Sequence, residues 1–165
     1  MSITKIARLA AKVLPALLLC ASSSVFAVTT SGTLAVSATV ASACSVTGST
    51  LAFGAYTSAQ IDNSASLTVI CTNSTPYNVG LDVGSGSGAT LAVRKMTGSV
   101  SGTLNYSLYK DSGRSTVWGN TVGTDTATGT GNGLSQSMTV YGRVPAGQNP
   151  GVGVYSDSVT VTLTY

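Results

Sequence analysis

In the last stretch of the chain, Tyr155–Tyr165, apolar and polar residues alternate from Ser158 to the end. Val159, Val161, Leu163 and Tyr165 fall on one side of an extended chain, and Ser and Thr residues fall on the other. This period of two, with β-branched and aromatic side chains, is typical of a half-buried β-strand. The sequence stops at Tyr165, so we expect one neighbour of this strand to come from elsewhere.

A second alternating stretch, Gly32–Val40, lies near the other end of the sequence. Leu34, Val36, Ala38 and Val40 share one face, and Thr, Ala and Ser residues share the other. The pattern again predicts a strand with one apolar face. It closes either the sandwich of its own chain or that of another copy, and the sequence leaves both readings open.

Short runs of β-forming residues fill the chain between these two stretches, separated by Gly, Pro, Asn and Ser. The predicted strands are Cys44–Val46 with a bent continuation over Leu51–Tyr56, Ser66–Cys71, Tyr77–Val83, Leu91–Met96, Leu104–Lys110, Thr116–Trp118 and Ser137–Val144. Asn120–Gly133 and Pro145–Gly153 are predicted to be exposed connections, because Gly, Pro, Thr and Asn dominate them. About eight short strands at this spacing predict an all-β antiparallel sandwich or barrel.

The first 27 residues have the pattern of a secretory signal. A basic start is followed by a short apolar run and by small residues, which predicts cleavage between Ala27 and Val28. A lipoprotein anchored at Cys20 is disfavoured, since Leu19 stands where a small residue is needed. We therefore divide the chain into a signal (1–27), an N-terminal segment (28–42) and a sandwich domain (43–165). The mature chain is predicted to have no membrane span.

Cleavage changes the charge balance of the chain. Three of the eight Lys and Arg residues leave with the signal, so five basic residues face five Asp residues and the net charge becomes zero. Removing 27 of 165 residues leaves 138, which is the size of one domain. A neutral chain without a basic surface is not expected to bind nucleic acid. Its many β-formers are typical of a chain that associates with itself.

Two cysteines, Cys44 and Cys71, remain after cleavage. An exported chain meets an oxidising compartment, which predicts a disulfide between them. Closing this loop is expected to stabilise the fold by roughly 3–4 kcal/mol on the chain-entropy model. A metal site is disfavoured, because the chain has no His and no Glu to join the two thiolates.

Catalytic chemistry has few candidates in this sequence. The chain lacks His and Glu, and no Ser lies in a G-x-S-x-G elbow. The glycine-rich stretches 84–88 and 129–133 lack the Lys of a phosphate loop. Asp111, Arg114 and Trp118 form a denser cluster, and a hairpin turn with a packed Trp is favoured over a ligand platform. We predict a non-enzymatic protein without a cofactor.

Several longer stretches together carry a family resemblance. They are CSV with LAFGAY, SLTVICTNSTPYNVGLDVGSG, LNYSLYKDSGRSTVWGN and MTVYGRVPAGQNPGVGVYSDSVTVTLTY. Over Cys44–Tyr165 the chain resembles the spore coat protein U domain family, which is similar to the subunits of archaic chaperone–usher pili. The closing YGRVPAGQ and the alternating final strand are the most specific part of this resemblance.

The resemblance implies a single, incomplete immunoglobulin-like sandwich that is completed by a donor strand. In such pili a periplasmic chaperone first lends a strand to the open groove. At the outer-membrane usher, the N-terminal strand of the next subunit replaces it. This implies a donor strand that inserts Leu34, Val36, Ala38 and Val40, and an acceptor groove lined by Val159, Val161, Leu163 and Tyr165. The Tyr165 carboxylate is where a chaperone would anchor.

The expected function is that of a structural subunit of a secreted surface fibre that supports adhesion or biofilm formation. The expected partners are other copies or related subunits, a periplasmic chaperone and an outer-membrane usher. Export through the periplasm to the cell surface follows from the same resemblance. The alternative is a secreted spore or cyst coat or matrix protein that folds without strand exchange.

Overall fold

The computed structural model describes residues 25–165, and residues 39–165 form one compact unit. Within the described residues the regular structure consists of β-strands without a helix. The strands are β1 (Cys44–Gly48), β2 (Ile61–Cys71), β3 (Pro76–Leu81), β4 (Arg94–Gly98), β5 (Thr103–Tyr109), β6 (Ala127–Thr130), β7 (Ser135–Val144), β8 (Tyr155–Ser156) and β9 (Val161–Thr164). Among residues 25–165, therefore, no helix has the length and hydropathy needed to cross a membrane.

The larger sheet has six strands in the order β1-β2-β7-β5-β4-β8, and all its pairs are antiparallel. Its longest ladder joins β2 to β7, with Ile61 opposite Val144 at one end and Ile70 opposite Ser135 at the other. Alternation along β2 turns its apolar residues inward, and Val69 is fully buried. The predicted Ser66–Cys71 strand is thus the second half of a longer one.

The smaller sheet has three strands in the order β6-β3-β9. Its central strand β3 contributes Tyr77, Val79 and Leu81 to the core. Strand β6 lies inside the stretch that the sequence predicts to be an exposed connection. Its residues ATGT include no large apolar side chain, so the alternation signal is absent. Gly129 fits here because the Tyr77 ring occupies the space where a Cβ atom would stand.

The final predicted strand is divided between the two sheets. β8 pairs with β4 in the larger sheet, and β9 pairs with β3 in the smaller one. Between them Asp157–Thr160, hereafter the crossover, passes from one sheet to the other. Asp82 holds its end, because the Asp82 carboxylate accepts from Thr160 N at 2.9 Å and Asp82 N donates to Thr160 O at 3.1 Å. The prediction of one continuous strand over Tyr155–Tyr165 is therefore wrong.

Cys44 and Cys71 form a disulfide in the structure, as the export argument predicts. They lie directly opposite each other in the β1–β2 ladder, with their Cα atoms 4.1 Å apart. Cys71 is buried in the core. The bond therefore ties the edge strand β1 to its neighbour β2 in the larger sheet.

Residues 25–43, which include the N-terminal segment, form no β-strand. Leu34, Val36 and Val40 are 87%, 84% and 83% exposed. The alternating stretch Gly32–Val40 therefore presents its apolar face to solvent and does not form the predicted strand in the single chain. Most of the predicted signal lies outside the described residues, and both residues at the predicted cleavage point, Ala27 and Val28, are exposed.

Candidate functional site

An open groove with a volume of about 1130 Å³ runs along the sandwich. One wall is the segment 48–56, which follows β1, and the other is the segment 150–161. The inner face of the larger sheet forms the floor, together with the end of β3. The floor side chains are Ala65, Leu67, Leu81, Met96, Leu104, Tyr106, Leu108, Val140 and Val144. The groove therefore opens directly onto the hydrophobic core.

The first wall is held by side chains and not by a sheet ladder. Leu51 and Phe53 pack against Gly142, where a Cβ atom would come within 2.6 Å of the Leu51 side chain. The Tyr56 hydroxyl donates to Pro145 O at 2.8 Å and accepts from Gln148 N at 2.9 Å. This segment is the predicted bent continuation, and it lies extended along the groove without becoming a strand.

The second wall contains part of the predicted acceptor set. Val159 and Val161 are half-buried and line the groove. Leu163 packs on the core but lies outside the groove lining, and Tyr165 is 58% exposed. The structure thus brings two of these four residues to the groove, and the other two are not part of its lining.

Two unpaired strand edges border this opening. Within the described residues β9 pairs only with β3, and β1 pairs only with β2. The two strands approach each other although they belong to different sheets. An edge strand presents free N–H and C=O groups that another extended segment can pair with. The apolar groove is therefore bordered by two edges at which a further extended segment could pair.

One carboxylate lies at the groove and fixes the crossover. Asp157 accepts from the Tyr106 hydroxyl at 2.6 Å and from both N and Oγ of Ser85 at 2.7 Å. Burial raises the pKa of Asp157, but these hydrogen bonds outweigh it, so its pKa lies below the ordinary value. Burial and the bond to Asp157 raise the pKa of Tyr106. The pair is therefore an ionised acceptor with a neutral donor, as expected of a structural contact.

The Asp111 cluster is a turn, as favoured from the sequence. Asp111 accepts from N and Oγ of Ser115 and from Thr116 N, and the backbone bonds lower the pKa of Asp111 to about 2. Arg114 donates to the carbonyls of Ser112, Asn63 and Gly142. Trp118 is buried and donates to Val79 O. Among residues 25–165, no group of three or more His, Cys, Asp or Glu side chains is placed to hold a metal ion.

Sequence reasoning did not single out Gln148, which anchors the loop at one end of the groove. Its side-chain amide pairs with the backbone of Asn105 in β5, since Nε2 donates to Asn105 O at 2.9 Å and Oε1 accepts from Asn105 N at 2.7 Å. The side chain thus replaces a neighbouring strand where β7 no longer pairs with β5. A lone Gln in a Pro/Gly loop gave no periodic signal for this role.

Comparison with solved structures supports the architecture. The chain is similar to a chain in the crystal structure of the CsuC–CsuE chaperone–tip adhesion subunit pre-assembly complex from archaic chaperone–usher Csu pili of Acinetobacter baumannii. The TM-score is 0.58 at 22% identity, over 77% of this chain and 41% of that chain. The likeness at this identity concerns the fold, and it confirms the predicted all-β, immunoglobulin-like sandwich.

Sequence comparison gives a relative and a family. Protein U of Myxococcus xanthus is 36% identical over 156 residues, which covers 84% of this chain and 87% of that protein. The model of the Spore Coat Protein U domain matches residues 30–162, so it includes the whole alternating stretch Gly32–Val40 as well as the sandwich. By both measures the chain belongs to the Spore Coat Protein U domain family.

Proposed function

We propose that the chain is a structural subunit of a secreted surface fibre that assembles by donor-strand exchange. The N-terminal alternating segment of one copy fills the groove of the next. The observation that carries the proposal is the pairing of features on one chain: an apolar groove bordered by unpaired edges, and an exposed apolar stretch of strand periodicity.

The chemistry of the two parts is complementary. The donor supplies Leu34, Val36, Ala38 and Val40 on one face, and the groove floor consists of Ala, Leu, Val, Met and Tyr side chains. Backbone pairing along β9 fixes the donor, and the apolar face fills the core, which is the general mode of β-augmentation. Each large side chain that becomes fully buried is worth about 1.5–3 kcal/mol. Three such residues and a ladder give a joint that opens slowly.

The same arrangement of donor and groove determines how the subunits assemble and which accessory proteins they need. Donor and acceptor are different surfaces of one chain, so the contact is heterologous and propagates instead of closing. An open core is prone to aggregation, so we propose that a periplasmic chaperone covers the groove and an outer-membrane usher directs the exchange. The fibre serves adhesion or biofilm formation in this proposal.

A second function, a secreted coat or matrix protein of resting cells, is favoured by the family name and by the similarity to Protein U. In that case the subunit folds and packs without exchanging strands. The two functions differ in whether the groove needs an extended occupant from another copy.

The test compares two substitutions on opposite faces of the donor segment. We expect Val36→Asp to prevent oligomer formation by the exported mature chain, because a carboxylate cannot enter the apolar groove. Ser37→Asp is the matched control, since Ser37 lies on the face that points away from the groove. Light scattering and detergent-resistant ladders on gels measure the oligomers.

The outcomes separate the two functions. Detergent-resistant oligomers from Ser37→Asp and only monomer from Val36→Asp support strand exchange. If Val36→Asp forms oligomers as resistant as those of the unsubstituted chain, the donor assignment is wrong. A stable monomer of the unsubstituted chain that also fails to bind a free peptide of residues 32–41 favours the coat protein.

A further inference from the structure

We infer that two exposed apolar corners, at opposite ends of the sandwich, meet between neighbouring copies in the assembled fibre. The mouth corner consists of Val100, Val152 and Val154. The root corner consists of Ile70 and Leu134. This inference rests on the proposed strand exchange and adds to it a second contact, between the folded bodies of consecutive subunits.

The mouth corner lies where the groove opens beside the β4–β5 turn. Val100, Val152 and Val154 are 83%, 101% and 73% exposed. Ser99 joins the two loops, because Ser99 N donates to Val154 O at 2.8 Å and Val154 N donates to Ser99 Oγ at 3.2 Å. Val152 and Val154 also line the groove. The corner is therefore an apolar surface continuous with the groove.

The root corner lies where the donor segment leaves the sandwich. Ile70 and Leu134 are 45% and 69% exposed. Ile70 pairs with Ser135, the residue after Leu134, and it precedes Cys71, which is paired and disulfide-bonded to Cys44. The root corner is thus next to the first residue of β1.

The strand registers place the two corners at opposite ends. Ile70 pairs with Ser135 at one end of the β2–β7 ladder, and Ile61 pairs with Val144 at the other. β5 runs antiparallel to β7 with Leu108 opposite Gly142, so the β4–β5 turn that holds Val100 lies beyond the Val144 end. A head-to-tail fibre brings one end of each subunit against the other end of its neighbour.

The short spacer between the donor segment and β1 holds the two corners near each other. Only residues 41–43 separate Val40 from Cys44, so the two Cα atoms are at most about 14 Å apart. All strand pairs among the described residues are antiparallel. A donor strand that also runs antiparallel to β9 leaves the groove at the Val161 end, next to the crossover and β8. The root corner of the donor subunit therefore arrives at the mouth corner of the acceptor.

A charge-rescue experiment on the mature chain tests the contact. Val152→Glu places an acid in the mouth corner, and Leu134→Lys places a base in the root corner. We expect each single substitution to shorten the half-life of oligomers in mild detergent by roughly tenfold, because a charge is buried against apolar groups. The double substitution should restore the half-life to within about threefold at low salt, because opposite charges then face each other in every joint.

Val152→Glu with Thr128→Lys is the matched control. Thr128 is exposed on β6 in the smaller sheet and belongs to neither corner, so its Lys should not rescue. A free peptide of residues 32–43 provides a second control, because it carries the donor but no body. Its affinity for the Val36→Asp chain, which accepts but cannot donate, should not change when Leu134→Lys is added, because Leu134 lies outside the groove lining.

The outcomes distinguish this inference from the strand exchange beneath it. Rescue by Leu134→Lys and not by Thr128→Lys, weakened by added salt, supports the contact. Oligomers that form normally and ignore the single substitutions, or that are not rescued, overturn it while leaving strand exchange standing. If the unsubstituted chain forms no oligomer and the peptide does not bind, strand exchange itself fails and this contact fails with it.

Discussion

Arg94 is a fully buried cation whose partners are backbone carbonyls. Its guanidinium donates to Leu81 O, Asp82 O, Leu91 O and Trp118 O at 2.7–3.1 Å. These carbonyls lie where strands end and no ladder satisfies them. Burial lowers the pKa of Arg94, and nearby Tyr106 and Asp82 oppose that shift. The residue therefore closes an end of the core that the sheets leave open.

We expect Arg94→Met to lower the free energy of unfolding by about 3–5 kcal/mol, because four buried carbonyls lose their donor at once. Urea denaturation of the mature chain measures the loss. Lys95→Met is the control, because Lys95 is the neighbouring basic residue and is not fully buried. Similar losses for the two variants would show that the hydrogen bonds of Arg94 contribute little.

Cys71→Ser should lower the free energy of unfolding by about 3–4 kcal/mol, the value expected for opening a loop of this length. Urea denaturation of the oxidised protein is again the measurement. The double variant Cys44→Ser with Cys71→Ser should lose no more than the single one, since both lack the same bond. A much larger loss in the double variant would assign the effect to packing at Cys44.

At the scale of elements, the crossover is the part of the chain held mainly by carboxylates. Asp157 fixes its start on Ser85 and Tyr106, and Asp82 fixes its end on Thr160. Burial raises the pKa of both carboxyl groups, but the hydrogen bonds that they accept lower it by more, so both pKa values lie below the ordinary value. The second wall of the groove thus depends on two ionised side chains.

The crossover predicts a fold that weakens in acid. A carboxyl group whose folded pKa lies below its unfolded value of about 3.9 stabilises the fold above that pH, and the contribution is lost as the pH falls towards the folded pKa. The free energy of unfolding should therefore be flat between about pH 5 and 7 and fall below about pH 4. Urea denaturation across this range measures it.

Two variants assign this pH dependence to Asp157. Asp157→Asn carries no titrating group, so its stability should fall less steeply below about pH 4 than that of the unsubstituted chain. Tyr106→Phe keeps the carboxyl but removes one bond to it, and an intermediate slope is expected. Equal slopes in all three proteins would place the acid sensitivity elsewhere.

The elements also show how far alternation predicts structure. Segments such as Leu104–Lys110 and Ser137–Val144 lie within one residue of β5 and inside β7, because each buries one face against the core. Alternation shows which face of a strand is buried but not which strand lies beside it. It therefore could not show that Tyr155–Tyr165 contributes strands to two sheets. It also could not find β6, whose stability comes from its ladder with β3. At the groove, Val159 and Val161 followed from the pattern, whereas Tyr56 and Gln148 act through single hydrogen bonds that leave no periodic signal.

At the scale of the whole molecule, residues 28–165 carry no net charge and few charged side chains. The proposed joint buries apolar groups and pairs backbone atoms, and neither interaction is screened by salt. We expect the rate and extent of assembly to change less than about twofold between roughly 50 and 500 mM NaCl, as measured by light scattering. A steep decline with salt would indicate an electrostatic joint.

The disulfide has a mechanical consequence in such a fibre. Tension would enter each subunit through the residues before Cys44, at the end of the edge strand β1. Without the disulfide the load would act on the β1–β2 ladder of five residue pairs, whereas Cys44 bonded to Cys71 transmits the load at once to β2. The load then acts along the ladder from Ile61–Val144 to Ile70–Ser135, whose hydrogen bonds must break together. An oxidised fibre should stretch without extending the loop that the disulfide closes, whose cysteines have a sequence separation of 27, and a reduced one should yield first at β1.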